Sequence, residues 1–198
     1  MNFLAHFHLA WPDEGLIAGA LEGDYFKGRL RGQLPAYLER GVSLHRAIDA
    51  HTDSHPVVLQ LRADLPAGLR RYAGILIDLC FDHYLSVHWA SFSSVPLDTF
   101  THRVYRILIS HEGDLSEGAR RMLARLMEYD VLARYHHWET VVATAARVGD
   151  RFKHRNPFLS LEQQLAPARL CMEQAFLNFY PQLQSFCRER ATQQLHVA

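Results

Sequence analysis

Apolar side chains recur at helical spacing along almost the whole chain, and this periodicity constrains the fold more than any other feature. In the clearest segment, from about Leu69 to Trp89, one helical face carries Ile75, Asp78, Asp82, Leu85 and Trp89. Alternating strand patterns and hairpin turns are absent. A chain of 198 residues is long enough to bury a substantial core. The pattern therefore predicts one all-α domain over residues 1–198, with about seven or eight helices.

Charge and composition exclude several classes of function. Lys plus Arg and Asp plus Glu number 21 each, so the net charge gives no indication of a nucleic-acid or membrane partner. No run reaches the roughly 18 apolar residues that a membrane span requires. The first residues lack the basic leader of a signal peptide, and the three cysteines form no CxxC pair. We expect a cytoplasmic protein with free thiols, and the sequence leaves its oligomeric state open.

Acidic residues on apolar helical faces are the main indication of chemistry. In residues 41–56, GVSLHRAIDAHTDSHP, His45, Asp49 and Asp53 are four residues apart, so they share one face of a helix. This helix is expected to begin near Pro35 and to end around residues 52–54, because Pro56 disfavours helix at the preceding residue. Histidine and carboxylate ligands suit a divalent metal and a metal-activated water. Asp53 is the least secure member, because it falls at the predicted helix end.

Two further segments place carboxylates on core-facing rows. Asp78 and Asp82 lie one turn apart, beside His83, and two like charges repel unless a cation or a proton joins them. Asp24 is predicted on the inner row of a helix that begins after an Asp13 N-cap and stops near Gly28. Buried hydrogen-bonded pairs are the alternative interpretation for each of these groups, since structural ion pairs look the same in sequence.

The remaining candidates are left open by the sequence. His6 and His8 would point in nearly opposite directions in a helix, so at most one of them should reach a shared site. Cys80 could be a nucleophile, although its apolar neighbours favour inert packing. Basic side chains could neutralise a phosphate, and these are Lys27, Arg29, Arg31 and Arg46. A second basic set could form a face for an acidic partner and consists of Arg70, Arg71, Arg103, Arg106, Arg120, Arg121 and Arg125.

Four segments of the first 90 residues resemble one known family, the acyl carrier protein phosphodiesterases. They occur in the family's order and at similar spacing, and they are MNFLAHFHLA, GALEGDYFKG, GVSLHRAIDAHTDSHP and GILIDLCFDHYLSVHW. Four ordered blocks are much more specific than one short motif. Ala20 and Gly23 depart from the family pattern around Asp24, and His51 stands where an aromatic residue is usual. None of these departures removes a polar position.

The resemblance implies an enzyme that cleaves the phosphodiester between 4′-phosphopantetheine and a serine of holo-acyl carrier protein. It also implies a divalent cation such as Mn²⁺ or Mg²⁺, and an HD-domain-like fold, since the family is a divergent relative of the HD phosphohydrolases. Acyl carrier proteins are acidic, so the arginine-bearing helices become a candidate docking face. The expected metal ligands are Asp24, His45, Asp49, Asp78, Asp82 and His83.

Within this hypothesis, catalytic roles are expected for Asp24, His45, Arg46 and Asp78, and Lys27 and Arg46 are expected to contact the substrate phosphate. Two alternatives remain. One is an HD-like phosphohydrolase that acts on a nucleotide or another small phosphoester. The other is a helical module that binds the carrier protein without chemistry, with structural networks in place of a metal site.

Overall fold

The computed structural model describes residues 1–153 and 156–195, and within them the secondary structure is helical, with no strand. The all-α prediction is therefore confirmed. The α-helices are α1 (Phe3–Ala10), α2 (Glu14–Glu22), α3 (Ala36–Ser54), α4 (Pro56–Asp64), α5 (Ala73–Val87), α6 (Trp89–Phe92), α7 (Leu97–Ser110), α8 (Glu117–Glu128), α9 (Val131–Arg134), α10 (Trp138–Gly149), α11 (Leu161–Leu165) and α12 (Arg169–Leu195). Across the described ranges, none of these helices is both long and apolar enough to cross a bilayer.

The described residues form two compact units. The first unit contains residues 1–2, residues 51–87 and the chain from Tyr135 onward, and the second contains residues 3–50 and 88–134. The expectation of a single domain over residues 1–198 stays a prediction, as does the likeness to HD domains.

In the first unit, α5 packs against α10 and α12, and α4 packs against α12. Phe81, Phe176 and Phe179 bring their rings together in its core. The predicted helix from Leu69 to Trp89 is shorter than expected, because a 3-10 turn over Arg70–Tyr72 precedes α5. Cys80 is fully buried and burial raises the pKa of its thiol, so inert packing is the correct interpretation of this residue.

In the second unit, α1 packs against α2, and α2 packs against α7. Asp13 caps α2 as predicted, because its carboxylate accepts a hydrogen bond from the Leu16 N–H at 2.9 Å. The helices α2 and α3 approach each other at Gly19 and Gly41. A Cβ added at Gly41 would stand 2.6 Å from Gly19 Cα and 2.7 Å from the Leu16 carbonyl oxygen. Two glycines therefore allow the two backbones to touch.

The predicted extent of α2 is wrong at its C-terminal end. The helix ends at Glu22, not near Gly28, and Gly23 lies so close to the His45 ring that a side chain there would collide with it. Asp24 consequently leaves the helix, and its side chain is 48% exposed instead of facing the core. The buried carboxylate at this point is that of Glu22, which accepts a hydrogen bond from the Ser116 N–H at 2.9 Å.

Candidate active site

Two histidines and two aspartates bring their side chains together within the second unit. His45 Nε2 lies 3.2 Å from one Asp49 carboxylate oxygen and 3.6 Å from an Asp24 oxygen. His6 Nε2 lies 3.1 Å from the other Asp49 oxygen. We call these four residues the His/Asp cluster. The structure therefore brings the predicted site residues Asp24, His45 and Asp49 together, and their roles stay a prediction.

Three separate segments supply the cluster. His45 and Asp49 are one turn apart on α3, as their spacing predicts. His6 comes from α1 and stacks its ring on that of His45, with centroids 3.9 Å apart and planes 10° from parallel. Asp24 comes from the turn that follows α2. Both rings are almost fully buried, whereas the two carboxylates remain partly open to solvent.

The His45 tautomer is fixed by the backbone of α2. His45 Nδ1 lies 2.9 Å from the Ala20 carbonyl oxygen, which can only accept a hydrogen bond, so Nδ1 carries the proton. His45 Nε2 then faces the Asp49 and Asp24 oxygens. Two acceptors at such distances repel unless a proton or a metal ion lies between them. The same kind of backbone contact orients histidine ligands in metal sites.

Burial and neighbouring charges shift the pKa values of the cluster members in different directions. Burial raises the pKa of Asp24, and the neighbouring Asp49 carboxylate adds to this increase. Burial alone would also raise the pKa of Asp49, but its hydrogen bonds with His45 and His6 outweigh burial and hold that pKa well below the usual range. Burial, with repulsion from His45, lowers the pKa of His6 to about 3. Both Asp49 and the neutral form of His6 are therefore available as ligands at neutral pH.

These residues fit a divalent metal. His6, His45 and Asp49 each offer one donor atom, and the three atoms lie within 4.8 Å of one another. The separations of 3.1–3.6 Å between cluster nitrogens and oxygens are those of neighbouring ligands on an ion about 2.0–2.3 Å from each. Asp24 adds a second carboxylate. His45 Nε2 and the flanking carboxylates are together compatible with a divalent cation.

The loop after Asp24 is held by α3. Arg46 donates hydrogen bonds to the carbonyl oxygens of Phe26 and Gly28, at 2.7 and 2.8 Å. This use differs from the predicted phosphate contact, which stays a prediction for Arg46. Lys27 is exposed, and its charge acts on the Asp24 carboxylate. The predicted contact of Lys27 with a substrate phosphate also stays a prediction.

The predicted ligands of α5 belong to the first unit, where Asp78 and His83 have hydrogen-bond partners. Asp78 accepts a hydrogen bond from the Met1 amino group at 2.8 Å. His83 Nδ1 donates to the Tyr135 carbonyl oxygen at 2.8 Å, and Asp82 is fully buried. Metal binding by these three residues stays a prediction. Asp53, at the end of α3, pairs with Arg62 at 2.5 Å and is well exposed.

His6 is the cluster member that sequence analysis could not assign. Its signal was its place in the apolar run FLAHFHLA, where a histidine at a buried helical position needs a polar partner. His8, two residues later, instead packs its ring against Trp89 and Phe100. The choice between the two histidines depends on how α1 lies against its neighbours, and that is a tertiary feature.

The buried His6 predicts that the metal-free protein loses stability as the pH falls. The pKa of this imidazole is about 3 in the folded protein, against the ordinary value of 6.5 expected for the unfolded chain. Below pH 6.5 the unfolded chain therefore binds a proton that the folded chain excludes. This proton uptake does not lower the free energy of unfolding above pH 6.5. At pH 5 we expect the free energy of unfolding to be lower by about 2 kcal/mol, at roughly 1.4 kcal/mol per pH unit.

Urea unfolding at pH 7 and pH 5 in the presence of EDTA measures this loss. A His6→Gln variant serves as the control and should show a smaller difference between the two pH values. Equal stability of the wild-type protein at both pH values would contradict the assignment of a neutral buried His6.

Comparison with known proteins agrees with the sequence blocks. The family model described as acyl carrier protein phosphodiesterase matches residues 1–183. A protein of that name from Photorhabdus laumondii subsp. laumondii is 32% identical over 193 residues, covering 91% of this chain and 92% of its own. One from Klebsiella pneumoniae subsp. pneumoniae is 31% identical over 184 residues, covering 92% and 95%. No solved structure matches the chain.

A third relative matches a shorter stretch of the chain at higher identity. The acyl carrier protein phosphodiesterase of Pectobacterium atrosepticum is 40% identical over 101 residues, which cover 50% of this chain and 52% of its own.

Proposed function

Because the chain belongs to the acyl carrier protein phosphodiesterase family and is a hydrolase of that class, we propose that its substrate is holo-acyl carrier protein. The reaction is hydrolysis of the phosphodiester between 4′-phosphopantetheine and a serine of the carrier protein. The observation that supports this chemistry is the His/Asp cluster, in which two imidazole rings and two carboxylates meet. The protein also has two buried free thiols, Cys80 and Cys187, and these support a reducing cytoplasmic location.

We propose Mn²⁺ as the metal, with His6, His45, Asp49 and Asp24 as its ligands. Mg²⁺ prefers oxygen ligands only, whereas imidazole nitrogen suits transition metals, so two histidines disfavour Mg²⁺. The choice of Mn²⁺ among the transition metals follows the family resemblance and the two carboxylates of the cluster. When bound, such an ion polarises a phosphoryl oxygen and lowers the pKa of a coordinated water. Asp78, Asp82 and His83 remain further candidate ligands.

Four residues of the chain have separate roles in the proposed hydrolysis. The Asp49 carboxylate contacts both imidazole rings and brings a negative charge to the site. The Ala20 carbonyl oxygen binds His45 Nδ1 and so keeps Nε2 directed towards the carboxylates. Asp24 is the most exposed member and has a raised pKa, which suits a group that accepts the proton of the attacking water. The water oxygen forms the new bond to phosphorus as the bond from phosphorus to the serine oxygen breaks. The serine oxygen leaves with the proton that Asp24 took from the water. Lys27 offsets the charge on the phosphoryl oxygens.

Mass spectrometry tests the proposed function directly. Holo-acyl carrier protein incubated with the enzyme and Mn²⁺ should be converted to the apo form, and free 4′-phosphopantetheine should appear in equal amount. An Asp24→Asn variant should lose most of this activity and still give the wild-type circular dichroism spectrum.

Retention of the holo mass after prolonged incubation of the wild-type enzyme would contradict the substrate. A screen of nucleotides and small phosphate esters then decides the alternative. A phosphohydrolase of small esters should cleave them without a carrier protein, whereas the proposed enzyme should need its protein partner.

A further inference from the structure

The loop between α2 and α3 carries three positive charges, and none of them has an ion-pair partner among the described residues. Residues 25–35, YFKGRLRGQLP, contain Lys27, Arg29 and Arg31 and no acidic residue. We call this segment the cationic loop. All three basic side chains are exposed, and none makes an ion pair or a hydrogen bond with the described residues. Other basic residues have acidic partners, as Arg62 has Asp53 and Arg121 has Glu117.

The backbone of the cationic loop is anchored near both ends. At its start, Arg46 donates hydrogen bonds to the carbonyl oxygens of Phe26 and Gly28. At its end, the Glu39 carboxylate accepts hydrogen bonds from the N–H groups of Gln33 and Leu34, at 2.9 and 3.4 Å. Each anchor uses a charged side chain to hold main-chain groups. The loop is therefore held in place while its own cations stay directed to solvent.

The loop is also joined directly to the His/Asp cluster. Asp24 immediately precedes it, and its anchor Arg46 is the neighbour of His45 on α3. A molecule bound to the loop is therefore placed next to the cluster. Like charges held close together repel one another, and this repulsion is relieved when an anionic surface covers them.

We propose that the cationic loop is the docking surface for the protein part of the substrate, an acidic face of the carrier protein beside the serine that bears the phosphodiester. This inference rests on the proposed function. Lys27 meets the phosphate, and Arg29 and Arg31 contact carboxylates of the carrier protein. Arg29 and Arg31 thus determine affinity for the protein partner and do not take part in the chemistry.

The arginine-bearing helices are less suited to this role. The segment from Leu97 to Arg134 contains six arginines and also six acidic residues, so its net charge is zero. Arg121 pairs with Glu117 within α8. An acidic partner would therefore meet both signs of charge on these helices, whereas it meets a single sign on the cationic loop.

The double variant Arg29→Glu/Arg31→Glu tests the proposal by binding and by kinetics. Fluorescence anisotropy of labelled carrier protein, measured in EDTA, should show affinity about tenfold weaker than wild type at low salt. The difference should shrink at about 0.5 M salt, where exposed charges are screened. With Mn²⁺, the KM for holo-acyl carrier protein should rise similarly while kcat stays within about twofold of wild type.

Arg120→Glu/Arg125→Glu is the matched control, because it makes the same charge change on exposed side chains of α8 in the same unit. It should leave affinity and KM near wild type. Unchanged binding in the loop variant, or an equal loss in the control, would overturn the docking assignment. Loss of single-stranded DNA binding in the loop variant, with carrier-protein binding intact, would also overturn it. Binding is measured without turnover, so an enzyme that fails to hydrolyse its bound carrier protein refutes the proposed function alone.

Discussion

The Asp49→Asn variant is expected to lose metal binding and hydrolysis together while it remains folded. Within the His/Asp cluster, Asp49 places one carboxylate oxygen 3.1 Å from His6 Nε2 and the other 3.2 Å from His45 Nε2. An amide keeps the shape of the side chain but removes its negative charge and replaces one acceptor with a donor. We expect the affinity for Mn²⁺ to fall by about 100-fold or more, and kcat/KM by about 1,000-fold.

Calorimetric titration with Mn²⁺ and the mass-spectrometric assay provide the two measurements. Asp53→Asn is the matched control, because Asp53 lies one turn further along α3 and its carboxylate pairs with Arg62 on an exposed surface. Exposed pairs of this kind contribute little to stability. The control should therefore bind Mn²⁺ and hydrolyse substrate as the wild type does. An Asp49→Asn protein that titrates normally would remove Asp49 from the site.

Local spacing allowed half of the His/Asp cluster to be predicted. His45 and Asp49 lie on one turn of α3, and helical geometry alone brings such residues together. The sequence also predicts Asp24 as a site residue, because the apolar row of α2 continues to it at helical spacing. In the structure Asp24 does belong to the cluster, but it is not on a helix. The helix α2 ends at Glu22, and Asp24 lies in the turn that follows.

The rest of the cluster depends on features that periodicity does not carry. The spacing of His6 and His8 shows that at most one of them reaches the site, but not which one. The packing of α1 decides this by directing His6 towards α3. The end of α2 depends on the close approach of Gly23 to the His45 ring. The anchoring of the cationic loop depends on Arg46. From the sequence, this arginine is predicted to contact the substrate phosphate. Each of these is a contact between residues that are distant in sequence.

The crossing of α2 and α3 leads to a second large expected effect, in the Gly41→Ala variant. Alanine has a helix propensity about 1 kcal/mol better than glycine, so propensity alone predicts stabilisation. However, a Cβ at this position would lie 2.6 Å from Gly19 Cα, 2.7 Å from the Leu16 oxygen and 3.0 Å from the Gly15 oxygen. All three are backbone atoms, which cannot rotate away. We expect the free energy of unfolding to fall by about 2 kcal/mol, as in other overpacked cores.

Urea unfolding measures this loss, and Gly74→Ala is its matched control. Gly74 lies in the first turn of α5, where an added Cβ would have its nearest contact at 3.6 Å, with the flexible end of Arg62. The control should gain about 0.5–1 kcal/mol from helix propensity. A Gly41→Ala protein at least as stable as wild type would refute the close crossing. Because α2 carries the Ala20 carbonyl that fixes the His45 tautomer, displacement of α2 in Gly41→Ala should also weaken Mn²⁺ binding, whereas Gly74→Ala should leave it unchanged.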